Sequence, residues 1–246
     1  MTTVVDPAAT RNDRRQELLT TLKKLQAKAD DAELGDRPAE ANAYHEKIAQ
    51  LMAKYGVSEA MLRSHGGDSK INANAKSVTV HLVGSYLPMQ AHLLGQLCHA
   101  MQCSSVRWPQ RDRKIKMQLY GMEDHLRRIR DMWDLLMPQA DRGITNAHPG
   151  FGAKPSEVAT HRRNWIDGFG DAVYSRIQNA ENTAAQTAGA VELYKSDRER
   201  AEIAMYAEHP RVKAPKASDR QHDPFGYEQG WSDGQSARLN KEIDCG

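Results

Sequence analysis

The residues best placed to do chemistry lie between positions 107 and 130. Arg107, Arg111, Arg113, Lys114, Lys116, Arg127, Arg128 and Arg130 are basic, against the acids Asp112, Glu123 and Asp124, which leaves a local charge of +5. Residues 104–108 and 114–120 read as two strands, with the polar Pro109-Gln110-Arg111-Asp112-Arg113 between them as a hairpin loop. On such a hairpin Arg111 and Arg113 project at the tip, and the period of two puts Lys114 and Lys116 on one face. Trp108 lies beside them as a ring on which a base can stack. Arg162 and Arg163 add to this surface if their helix packs nearby. The chemistry expected is phosphate binding by Arg107, Arg111, Arg113, Lys114, Lys116, Arg162 and Arg163, with Trp108 as a stacking platform. The plain alternative is a solvated sheet face balanced by acids elsewhere.

Other chemistries find less. His92, Cys98 and His99 share one helical pattern, with Cys103 just after it, but His92 and His99 are two turns apart and need a third element to share an ion. No H-E-x-x-H, C-x-x-C, G-x-S-x-G or P-loop pattern occurs. Gly168-Phe169-Gly170 lies inside a helical pattern and is no dinucleotide loop. Glu123 and Asp124 open a helix, where acids complement the dipole. No catalytic residue, metal site or cofactor is implied. A hydrolase would have to use an unrecognised site among His81, His92, His99 and His125.

These residues need a scaffold, and the hydrophobic periods outline one. Leu18, Leu19, Leu22, Leu25 and Ala29 form a helical stripe over residues 13–29. Asp36 and Pro38 read as cap and first turn of a second helix lined by Ala41, Tyr44, Ile48, Leu51, Met52 and Tyr55, with Gly56 as its stop. Together they predict an antiparallel hairpin over residues 13–64, which either engages a partner or folds back on the rest of the chain. Residues 1–12 and 241–246 read as tails, and the Gly/Asn-rich 65–76 as a linker.

From residue 77 to 240 the pattern is mixed. Val78, Val80 and Leu82 alternate as a strand. Residues 87–101 are helical, the two hairpin strands follow, and residues 123–145 and 156–187 form long helices around the loop 146–155. Residues 191–195 read as a further strand, and Ser196-Asp197-Arg198-Glu199 as a capping box opening a helix. Residues 225–240 form a last helix whose Gly226, Gly230 and Gly234 imply close backbone packing, since each costs about 1 kcal/mol of helix propensity. The expected class is α+β: a helical hairpin, then an α/β domain with a small mixed or antiparallel sheet of three to five strands and several long helices.

Bulk properties narrow the partners only slightly. The chain has 246 residues and a net charge of +2, so a nucleic-acid argument rests on local clustering. No apolar run approaches the roughly 18 residues of a membrane span, and the polar N-terminus lacks a signal peptide's apolar region. Cys98, Cys103 and Cys245 form no disulfide framework. Both features point to the cytoplasm and away from a membrane.

Several stretches resemble known families. Leu22-Lys23-Lys24-Leu25, Ala39-Glu40-Ala41 and the run Gln50-Leu51-Met52-Ala53-Lys54-Tyr55-Gly56-Val57-Ser58 resemble a prokaryotic and phage family, domain of unknown function 2786. Tyr120-Gly121-Met122-Glu123-Asp124, Arg162-Arg163-Asn164-Trp165-Ile166-Asp167-Gly168-Phe169 and the segment from Gly226 to Gly234 with Ala237-Arg238-Leu239 resemble its companion, domain 7168. The resemblance implies a bacterial or phage source and carries over no site residue. The function expected is a non-enzymatic nucleic-acid-associated accessory protein with DNA or RNA as partner. The alternatives are an adaptor that binds a host or self protein through the hairpin, and the hydrolase above.

Overall fold

Small residues on one helical stripe let the N-terminal hairpin pack closely. The computed structural model describes residues 7–65, 74–110, 114–213 and 223–239. Helix α1 (Pro7–Leu34) and helix α2 (Pro38–His65) lie against each other, with Leu22, Ala29 and Ala32 of the first and Ala41 and Ile48 of the second buried. His45, buried on α2, meets Glu33 of α1 at 2.9 Å. The turn differs from the expected cap. Asp36 adopts a left-handed φ of 54°, and the carbonyl of Arg37 receives the first helical N–H groups, from Glu40 and Ala41. The Arg37 side chain then reaches Glu40 at 2.5 Å, so the cap position belongs to Arg37.

Gly56 does not stop α2, which runs on to His65. The α2 stripe folds back on the second part of the chain: Ala49 and Ala53 share the main core, while Val57 and Ala60 join Ala185, Ala190 and Tyr194 in a smaller one. The hairpin is therefore not a separate packing unit, although the chain connects it through the 65–76 region.

Strand β1 (Lys76–Val83), helix α3 (Leu87–Ala100), strand β2 (Ser104–Gln110) and strand β3 (Lys114–Gly121) build the three-stranded sheet. The order is β1-β3-β2, and both outer strands run antiparallel to β3. Alternation along the strands assigns the faces. Val78, Val80 and Leu82 with Ile115, Met117 and Leu119 share the core with Leu93, Leu94 and Leu97 of α3.

Helix α4 (Glu123–Asn146), helix α5 (Pro155–Thr187), helix α6 (Val191–Glu208) and helix α7 (Pro224–Gln235) follow. Residues 191–195, expected as a strand, are the first turn of α6. Ala190, Tyr194, Asp197, Ala201 and Met205 are buried at spacings of three and four, and that helical period overrides a five-residue alternation. Ser196-Asp197-Arg198-Glu199 is thus mid-helix and caps nothing. The last helix ends at Gln235, short of 240. No helix among the described residues is long and apolar enough to cross a membrane.

The glycine row does what its spacing implies. A Cβ on Gly226, Gly230 or Gly234 would lie 2.7, 1.9 or 2.6 Å from the carbonyl oxygen of His161, Trp165 or Phe169. The matched steps of four show α7 lying parallel on α5 at backbone contact. Side-chain polar bonds along the contact help fix the seat. His161 Nδ1 meets Asp223 at 2.8 Å, Trp165 Nε1 donates to Asp233 at 2.8 Å, and the Tyr227 hydroxyl donates to Asp171 at 2.9 Å.

Candidate nucleic-acid interface

The sheet register puts three chemically distinct side chains in one row. His81 of β1 pairs with Lys116 of β3, which pairs with Trp108 of β2. All three point away from the core, on the outer face. Val83, Lys114 and Gln110 form the next row toward the hairpin tip. Helix α6 covers the other half of this face, where Val106 and Tyr120 pack against Ala201 and Met205. Among the described residues the half nearer the tip stays open: His81, Val83 and Lys114 are exposed, and Lys116 and Trp108 are half-buried.

The C-terminal end of α6 shapes the border of the open half. Glu208 accepts hydrogen bonds from Gln118 and from the Tyr120 hydroxyl, each at 2.8 Å. These donors hold its carboxyl below the ordinary value, and they clamp the helix end to the sheet. Burial and then the Glu208 contact push the Tyr120 hydroxyl up, so it stays a donor. The clamp brings the His209 ring edge-on to Trp108, with centroids 4.7 Å apart. Lys116 Nζ lies 5.5 Å from the Trp108 ring centroid, in cation–π range. Between β2 and the segment after α6 lies a cleft of about 320 Å³, lined by Val106, Trp108, Glu208, His209, Pro210, Arg211 and Val212. Sequence reasoning missed His209 and Arg211, because only the turn after α6 brings them to β2.

Arg107, on edge strand β2, is exposed but pairs with the core-facing Met117, so the two-residue alternation puts it on the opposite face from Trp108 and Lys116, and, against expectation, it does not join the patch. Arg111 and Arg113 lie outside the described residues. Arg162 and Arg163 do not join the patch. Their helix packs chiefly on α7, α2 and α3. Arg162 donates to the carbonyls of Ala147 and Thr145 at 3.2 and 3.0 Å, finishing the end of α4, and Arg163 bonds back to Ala159 and Thr160 within its own helix.

The local +5 also divides. Arg128 is buried, paired with Glu181, and its Nη2 reaches the Met52 carbonyl at 3.4 Å. Tyr194 donates to the same Glu181 at 2.8 Å. Beside them buried His125 meets buried Asp197 at 3.2 Å. This network joins α2, α4, α5 and α6. The small space bordering Arg128 and Glu181, about 10 Å³, is too small for a substrate.

The histidines weighed for a hydrolase occupy different surroundings. His81 is on the outer sheet face, His92 is exposed on α3, His99 bonds the Tyr174 hydroxyl at 3.0 Å, and His125 is enclosed. Among the described residues no three His, Cys, Asp or Glu side chains gather as a metal-holding group. Cys98 and Cys103 are buried free thiols, and burial pushes that of Cys98 up to about 12. A groove of about 480 Å³ runs between α2 and α5, lined by small and polar side chains with Glu46 and Arg176.

Comparison of the chain with protein-family models, curated proteins and solved structures found no match.

Proposed function

We propose that the chain is a nucleic-acid-associated accessory protein whose contact surface is the tip half of the outer sheet face. The row His81–Lys116–Trp108 carries this reading. It joins the Lys116 ammonium to an aromatic ring, the two elements a nucleic-acid surface combines. Lys114 in the next row and Arg211 at the border extend the positive surface. The cleft's one carboxylate, Glu208, is already held by Gln118 and Tyr120. The motif resemblance and the sparse cysteines support action in a bacterial cytoplasm, the host's if the source is a phage.

Phosphate contacts release counterions, so affinity must fall with salt. With Lys114, Lys116 and Arg211 engaged, log K against log salt is expected to slope at roughly −2 to −3. Undetectable binding at low salt, or a slope near zero, overturns the proposal.

A further inference from the structure

Trp108 is recessed between the sheet and the end of α6, and that position restricts what can reach it. Its partners are the His209 ring at 4.7 Å and the Lys116 ammonium at 5.5 Å, and the adjoining cleft of about 320 Å³ is at the small end of ligand pockets. A duplex keeps its base faces inside the stack and presents only base edges in its grooves. A single strand presents the faces themselves. An indole within a small cleft meets a base face only when the base has left a stack.

We infer that the cleft receives an unpaired base of a single-stranded nucleic acid, stacked on Trp108 and walled by His209. Lys114, Lys116 and Arg211 hold the flanking phosphates. The inference rests on the reading of this face as a nucleic-acid surface and names the form of nucleic acid it selects. Lys116 serves because its flexible stem can carry the ammonium from the ring to a phosphate. Glu208 lines the same cleft and tells against anions, but Gln118 and Tyr120 occupy both its oxygens. Val106 and Val212 supply apolar walls for a flat ring. His81, in line with Lys116, extends the track across the sheet.

The test compares the full chain's affinity for an oligothymidylate single strand with that for a duplex of the same length, by fluorescence anisotropy at low salt. The single strand is expected to bind roughly tenfold tighter. Trp108→Leu keeps apolar bulk but no stacking face, and is expected to lose roughly tenfold for the single strand and nothing for the duplex. Trp108→Phe keeps a ring and most of the affinity. His209→Ala, which leaves Trp108 in place, weakens single-strand binding alone, and melting curves verify that each variant folds. Equal affinity for both forms, unchanged by Trp108→Leu and His209→Ala, overturns the base cleft while leaving the phosphate-binding face intact. No binding to either form overturns both.

Discussion

The Arg128 guanidinium occupies the space a side chain on Gly56 would need: a Cβ there would lie 2.0 Å from Nη1. The glycine is thus a seat for the charged group that joins the hairpin to the rest of the chain. Burial disfavours the charged guanidinium, but Glu181 and Tyr194 outweigh it and push Arg128 above its usual value.

Replacing Gly56 with Ala is therefore expected to destabilise the protein by about 2 kcal/mol, although alanine is the better helix former. Glu181→Gln removes the partner and leaves a buried cation, at a cost of about 3–5 kcal/mol. Chemical denaturation measures both. A stabilised Gly56→Ala would show that Arg128 is not seated there.

The α5–α7 contact predicts opposite outcomes for two helical glycines. Gly230→Ala would put a Cβ 1.9 Å from the Trp165 carbonyl oxygen, a backbone atom that no rotamer change can move. Overpacking of this kind is expected to cost about 3 kcal/mol. At Gly95 the nearest atom is Ser105 Oγ at 3.7 Å, an ordinary contact, so Gly95→Ala is expected to gain about 0.5–1 kcal/mol. Melting curves of the two variants should shift in opposite directions. A shift in the same direction would refute the packing described.

Acid should loosen α7. Burial raises the Asp223 carboxyl, but the Gly226 N–H, the His161 ring and the Phe225 N–H together hold it below its ordinary value. A carboxylate depressed in the folded state contributes stability in full above its unfolded value of about 4, and loses it as pH falls through the lower folded value. Asp223→Asn still accepts from Phe225 and Gly226 as a cap, so it should fold at neutral pH yet lose this part of the acid dependence. Urea midpoints from neutral pH to pH 3 measure it. An unchanged acid limb would remove Asp223 from the latch.

Much of this architecture could be read from sequence, and the residues show where reading ended. The strands carrying Val78, Val80 and Leu82, and Ile115, Met117 and Leu119, alternate cleanly because one face is core. The glycine steps of four implied backbone contact, and α5 supplied it. Residues 191–195 misled because five alternating residues also fit one helical turn, and the period appears only when Asp197, Ala201 and Met205 are included. Gly56 imitated a helix stop, since its true reason, Arg128, lies 72 positions away. Arg128–Glu181 and His125–Asp197 were hidden because isolated charged residues read as surface, and their pairings span 53 and 72 positions. Lys114, Lys116 and Trp108 were legible as one face, whereas His209 and Arg211 needed the fold.

The most direct measurement is binding of a labelled single-stranded oligonucleotide at low salt by Lys114→Glu/Lys116→Glu, compared with the unaltered chain and with Lys47→Glu on α2. Reversing two cations on the proposed face is expected to cost well over tenfold in affinity, while Lys47→Glu binds as the parent does. Unchanged affinity in the double variant, or an equal loss in Lys47→Glu, would contradict a nucleic-acid surface on this sheet.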